Sequence, residues 1–503
     1  MALLLTTPEQ HSFQDPSLEL NEKKLQRWLA SLPVLNAGES LRQVLAALEP
    51  LNEQRLDVDK RLSLMVLYQS VFMRLYAAAE PLRLRQQPLS RQQRQTTVND
   101  VEQLSLAMAN GFKLAVKALY EQGGKCPPEK FGRVLRWTLQ ALAAALLHSY
   151  RFYRPEPGFV FLELNQIYRL ARHRGLHQVT GGEETESTQA SLAGIYQAIS
   201  LLSLCDPFSL EEGVADNCYR SLLQYVEGAR MVPGNNWQGV PEGLYFIDLQ
   251  SDSRPRHCVF LQSPADGDDP HILDARSALQ QMHKTLAALP PDRRRQRSEA
   301  VILKALLPEV SGGNKRRSER RRDGRWIGVV PGLDAIAAWL TARQQGRAPE
   351  AVQWQVKDAS DGGYCLAWDE SAAALLQVGD LVCVVSDSEN GEEATGKLQL
   401  MAVRWIRDGR AQGTELGVEL IPGTPGAVQV CPGDDAQAGR LPAVFMPSTA
   451  GVQALAARLI VPPEVYAENR ALLLYVGERE VAIRCGALVE QAPGFDCFEF
   501  MSS

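Results

Sequence analysis

The apolar residues of this chain repeat with one period over its first half and with another over its last third, and that change constrains the fold more than any single motif. Leu25, Trp28, Leu29 and Leu32 recur at i, i+3, i+4 and i+7, and Leu41, Val44, Leu45 and Leu48 do the same behind Ser40, an expected N-cap. After Arg325 the apolar stretches become short runs between Gly- and Asp-containing turns. A helical stripe cannot be buried as a strand, so the two regions fold as different modules. At 503 residues the chain exceeds what one hydrophobic core accommodates, and a multidomain α+β protein is expected.

Helices are expected at about 57–79, 98–121, 128–153, 158–174, 188–204 and 209–228. They are separated by the Gln/Arg-rich stretch 83–95, by Gly123–Gly124, by Pro155 and Pro157, and by the acidic-polar loop 181–188. No repeat signature accompanies them, so 18–230 reads as an all-α helical bundle or solenoid. Tyr68, Phe72, Tyr76, Trp137, Phe159 and Tyr168 fall at helical spacing and are expected in its core. Residues 231–312 mix the strand-like GLYFIDLQ and HCVFLQ with the helix-like SALQQMHKTLAAL and SEAVILKALL, which suggests a small α+β connector. The runs WIGVV, WQVKD, GYCLAWD, LVCVVS, LQLMAVRWI and TELGVELI, with GLDAIAAWLTARQQG as an inserted helix, suggest a small barrel over 313–430. PAVFMP, ARLIVP, ALLLYVG, EVAIRCGALV and FEFM then make 431–503 a β-rich C-terminal subdomain.

Several functions are excluded on elementary grounds. The net charge of −6 argues against a protein built as a whole to coat nucleic acid or an anionic membrane. Nine scattered cysteines, odd in number and without a Cys-x-x-Cys pair, fit reduced thiols in a cytoplasmic protein. No apolar run is long enough for a transmembrane segment, and MALLLTTPEQ lacks the basic start of a secretory leader. His173 and His177 stand at i, i+4, but no carboxylate or thiol joins them at ligand spacing, and DGDDPHILD lacks the ordered spacing of a calcium loop, so no metal site is expected. With no P-loop, nucleophile elbow or dinucleotide fingerprint, nothing argues for catalysis, and no enzyme is expected.

One constellation does carry chemistry. Residues 315–325, KRRSERRRDGR, place five excess positive charges in an acidic chain. Guanidinium forks bind phosphate bidentately, address guanine O6 and N7, and stack on bases. Downstream, DASDGG at 358–363 sets a carboxylate, a hydroxyl and glycine backbone together between two strand runs. The carboxylate can accept from guanine N1 and N2, and the hydroxyl and amides can donate to phosphate.

Arg-x-x-x-Arg followed by Asp-x-Ser-x-x-Gly resembles the ligand signature of PilZ domains, and LQVGDLV and ELGVEL are similar to that family's middle and closing strands. Leu420 stands where the family usually has phenylalanine. The resemblance covers about 115 residues and implies a six-stranded antiparallel β-barrel that binds cyclic di-GMP, with no other cofactor. It implies ligand contacts from Arg316, Arg317, Arg320, Arg321, Asp358, Ser360 and Gly363. The arginine register stays open between Arg316/Arg320, Arg317/Arg321 and Arg321/Arg325, with Arg317/Arg321 favoured because Arg316 then supplies a leading arginine. Arg293 and Arg297 have the same spacing but lie far ahead of the Asp-Ser turn. The helical N-terminus is similar to FimW-type attachment proteins. The implied protein is a second-messenger receptor acting through a protein partner on the helical module to control attachment or motility, with no DNA bound. A ligand-independent scaffold and a nucleic-acid factor using the arginine run are the other two readings.

Overall fold

The computed structural model describes residues 3–502 apart from 14, 17, 34–35, 79–90, 124–125, 182–189, 235–241, 262–266, 289–297, 308–319, 348, 369–375, 387–396, 409–412, 433–438 and 449–455. The chain forms two compact units, Met1–Pro207 with Glu212–Gly313, and Phe208–Glu211 with Asn314–Ser503.

The first unit is built on α1 (Glu22–Ser31), α2 (Ala37–Glu53), α3 (Val58–Ala78), α4 (Arg91–Glu121), α5 (Pro128–Arg151), α6 (Val160–His173), α7 (Leu192–Ser203) and α8 (Val214–Tyr225). The long α4 packs against α2, α3 and α5, and α5 packs against α6 and α7. Three local expectations change. Helix α4 starts at Arg91, inside the stretch read as a separator, because Gln and Arg are good helix formers whatever their polarity. Asn36 rather than Ser40 caps α2: its side chain accepts from the Glu39 N–H at 3.1 Å, whereas Ser40 is buried one turn in and donates to the Pro33 carbonyl. Tyr68, Phe72 and Tyr168 are buried and Tyr76 and Trp137 half-buried, but Phe159 is 55% exposed, since it takes a left-handed φ of 63° ahead of α6 and leaves the helical face.

A four-stranded sheet follows, in the order β1 (Arg230–Pro233), β4 (Pro270–Asp274), β2 (Leu244–Asp248), β3 (Arg256–His257). Helices α9 (Arg276–Ala287) and α10 (Ser298–Leu306) pack against α8, so the residues read as a connector are part of the first compact unit.

The second unit holds two barrels. The first comprises β6 (Trp326–Pro331), β7 (Val352–Ser360), β8 (Gly363–Trp368), β9 (Leu381–Ser386), β10 (Lys397–Asp408) and β11 (Thr414–Leu420). Every pairing is antiparallel in the order β7-β6-β9-β10-β11-β8, and β8 returns to β7 to close six strands, with β5 (Arg321–Arg322) laid along β7. Helix α11 (Leu333–Gln344) is inserted between β6 and β7. The second closed barrel runs β12 (Gly426–Pro432), β13 (Leu441–Met446), β14 (Arg458–Val461), β17 (Phe495–Ser502), β16 (Arg479–Ala492), β15 (Ala471–Val476). The expected boundary at 430/431 falls inside β12. Leu333, Ile336 and Trp339 of α11, Leu381, Cys383, Leu400 and Ala402 of the first barrel, and Val444, Met446, Ile460 and Phe495 of the second form one buried cluster.

Burial in the helical unit has a consequence for its acid stability. His148 is wholly buried, with Nε2 2.9 Å from the Val98 carbonyl oxygen, and burial, reinforced by the nearby Arg151, holds its pKa down to about 3. The unfolded ring takes up a proton near pH 6.5 that the folded site refuses, so stability is lost as pH falls from about 6.5 toward 3. Near pH 4.5 this group alone removes about 3 kcal/mol. Thermal unfolding of the wild type should therefore weaken more steeply between pH 6.5 and 4.5 than that of His148→Gln, and parallel curves would acquit the residue.

Candidate functional site

The side chains singled out around DASDGG owe their placement to one irregularity. Along β7, Trp354 and Val356 point into the first barrel and are buried, so strict alternation would send Asp358 inward as well. The pairing with β8 slips at Lys357: Val356 is opposite Leu366, but Asp358 is opposite Cys365. This bulge adds one residue and reverses the faces, which brings Asp358 to the outer surface.

Strand β5 meets it there. Arg322 pairs with Asp358 and Arg321 with Ala359, so Arg320, two residues before Arg322, shares the outer face with Asp358 and Ser360, while Arg321 lies on the opposite face. The Arg320 Nη1 donates to both Asp358 oxygens, at 3.0 and 3.4 Å, in a pair whose side chains are 38% and 28% exposed. Arg325 is held by Asp323, with Nε to Oδ2 at 3.1 Å, and its guanidinium lies 5.8 Å above the Tyr364 ring. Arg316, Arg317, Arg293 and Arg297 lie outside the described residues.

The turn itself is a two-residue hairpin, Asp361–Gly362, closed by the Ser360–Gly363 pair. The Ser360 hydroxyl donates to the Gly363 carbonyl at 3.3 Å, and the Leu420 N–H donates to the Gly362 carbonyl at 2.9 Å. A Cβ on Gly363 would lie 1.9 Å from the Val418 carbonyl oxygen, so only glycine lets β8 approach β11 this closely. Cys365, behind Asp358, has its thiol pushed up to about 12, first by burial and then by the Asp358 carboxylate. The surface thus offers an aspartate, a serine hydroxyl and the guanidinium groups of Arg320 and Arg322 on one face, a set suited to a ligand carrying both hydrogen-bond donors and phosphates.

Tyr364 was not among the residues singled out in the sequence. Its hydroxyl donates to Gln399 Oε1 at 2.8 Å and its ring underlies Arg325. An aromatic directly after the last glycine of the turn was the available signal. Among the described residues no group of three or more His, Cys, Asp or Glu side chains could hold a metal ion, and no helix is long and apolar enough to cross a membrane.

Residues 23–234 match the model of the N-terminal domain of the cyclic-di-GMP receptor FimW, and residues 336–425 match that of its middle PilZ domain. A protein of Pseudomonas aeruginosa named cyclic-di-GMP receptor FimW is 23% identical over 583 aligned residues, covering 100% of this chain and 94% of the relative.

The contact of Gly363 with β11 makes a direct test of how the turn is held. In Gly363→Ala the new methyl meets backbone, which cannot rotate away, so the second unit should lose about 2 kcal/mol or more. A melting temperature equal to that of the wild type would show that β8 and β11 separate at little cost.

Proposed function

Because the chain is a PilZ-domain protein of the FimW type, we propose that it is a receptor for cyclic di-GMP and binds the dinucleotide on the outer face of the first barrel. The observation that carries this is the bulge at Lys357, which sets Asp358 beside Arg320 and Ser360 on one accessible face. In the ligand-bound state Asp358 accepts from guanine N1 and N2, the arginines take phosphate oxygens or the guanine O6/N7 edge, and Ser360 turns its hydroxyl from the Gly363 carbonyl to the ligand. Gly363 gives the backbone room to approach. Arg316, Arg317, Arg320 and Arg321 supply the guanidinium groups.

Ligand binding on this scheme is an exchange. Without ligand, Arg320 occupies both Asp358 oxygens, as the two donors of a guanine edge would. A guanine displaces it, and the freed guanidinium turns to phosphate, so the site stays charge-paired in both states. The shared face of Arg320 and Asp358 favours the Arg316/Arg320 register, whereas the leading arginine favours Arg317/Arg321. The protein is a receptor rather than an enzyme, acts in the cytoplasm, and passes the signal to a protein partner on the helical unit that governs surface attachment or motility.

Isothermal titration of the full chain with cyclic di-GMP, beside GTP and cyclic di-AMP, tests the reading. Saturable binding selective for cyclic di-GMP is expected. Asp358→Ala should weaken it roughly tenfold to a hundredfold, the effect of losing charge-assisted hydrogen bonds. If the Arg316/Arg320 register holds, Arg320→Ala loses more affinity than Arg321→Ala, and the reverse order restores the other register. Absence of saturable binding would sink the receptor and leave the helical unit as a scaffold.

A further inference from the structure

Strand pairing runs one row of residues across the candidate site. Arg322 of β5 is opposite Asp358 of β7, Asp358 opposite Cys365 of β8, Cys365 opposite Gly417 of β11, and Gly417 opposite Trp405 of β10. Residues directly opposite one another share a face of the sheet, so Trp405 is on the outer side with Asp358. Three strand spacings, about 14 Å, separate their backbones.

Both ends of this row owe their direction to a bulge. Met401 and Val403 of β10 point into the barrel and are buried, so alternation would carry Trp405 inward as well. The pairing with β11 slips at Arg404, from Val403 opposite Val418 to Trp405 opposite Gly417, and turns the tryptophan out. The slip at Lys357 turns out Asp358 in the same way. Bulges recur beside functional sites, where they re-aim a side chain, and here two of them re-aim the two ends of a single row.

Between those ends the row carries only Cys365, which is buried, and Gly417, which has no side chain. The indole of Trp405 uses that space: its Nε1, Cε2 and Cδ1 lie 1.9, 2.4 and 2.6 Å from where a Cβ on Gly417 would stand. The ring therefore reaches back over β11 toward Asp358 and shortens the gap between them. It is half-buried, so part of it stays open to solvent. A ring that covers a strand glycine also supports the sheet, but that role calls for no carboxylate turned out at the far end of the row. A purine needs both, an acceptor for its hydrogen-bonding edge and an aromatic surface for its face.

We propose that Trp405 is the stacking surface for a guanine of the bound dinucleotide, the base whose edge Asp358 accepts. This rests on the receptor reading and adds to it a residue outside both motif elements.

The test is titration of the full chain with cyclic di-GMP in the wild type, Trp405→Leu, Trp405→Phe and Asp358→Ala, with the melting temperature of each and the tryptophan fluorescence followed throughout. Folded Trp405→Leu should bind roughly tenfold or more weakly, and Trp405→Phe, which keeps an aromatic face, within a few-fold of the wild type. Ligand should quench the wild-type emission, and Trp405→Phe should bind with that quench lost. Folded Trp405→Leu that binds like the wild type while Asp358→Ala does not would overturn the stacking role and leave the receptor standing. If Trp405→Leu does not fold, a quench that persists in Trp405→Phe has the same meaning. A wild type that never saturates removes the receptor reading and this inference with it.

Discussion

The apolar layer between the two barrels is the contact on which the second unit depends. An isolated small barrel buries one face of each strand and shows the other to water. Strands β9 and β10 bury both: Val382, Val384, Met401 and Val403 fill the first barrel, while Leu381, Cys383, Leu400 and Ala402 point outward into the layer with α11 and the second barrel. Without the second barrel that outer face would be an exposed apolar patch of the kind that drives association. The C-terminal strands are therefore part of what covers that face of the first barrel. Arg404 completes the seam at its polar edge. It sits at the bulge between Val403 and Trp405, pairs with Glu419 at 2.8 Å, and reaches Glu490 of β16 through Nη2 at 3.2 Å.

A barrel anchored on one side leaves the other for chemistry. Among the described residues, the strands that carry the candidate site, β7 and β8 with β5 beside them, contribute none to that layer's buried core. Their outer face is free of packing duties, and the bulge at Lys357 uses this freedom by sending a carboxylate outward where the alternation of β7 would have buried it. A buried, unpaired Asp358 would be costly. At the surface it is half solvated and matched by Arg320. The same extra residue thus avoids a burial penalty and brings Asp358 to the face it shares with Arg320 and Ser360.

The periodicity of the sequence was enough to separate a helical region from a strand-rich one, and each of the six strand runs read between Trp326 and Ile421 corresponds to a strand of the first barrel. Runs such as LVCVVS and LQLMAV are nearly continuous in apolar residues because both their faces are covered, a pattern that marks burial without naming the partner. Strand β12 escaped notice for the opposite reason, since GAVQVCP begins and ends in residues that break strands. The motif residues Asp358, Ser360 and Gly363 were legible as types at a spacing. Their faces were not, because alternation carried through Lys357 gives the wrong side for Asp358, and no residue type announces a bulge at lysine. Tyr364 and Gln399 are coupled only through the barrel's closure, which brings β8 and β10 to either side of β11.

These attachments hold the two elements of the candidate site unequally. The β7–β8 turn is fixed twice to β11, by the Leu420 to Gly362 hydrogen bond and by the close passage of Gly363 against Val418. Among the described residues strand β5 is held by two residues paired along β7, by the ion pair from Arg320 to Asp358, and by the backbone hydrogen bonds Asp323 N–H to the Lys357 carbonyl and Val356 N–H to the Arg325 carbonyl just beyond it. An exposed ion pair of this kind contributes about 0–1 kcal/mol. The rigid element therefore presents the acceptor and the loosely held element presents the cations. The arginine strand is thus the more lightly held of the two elements, while the core and seam of the barrel are committed to packing.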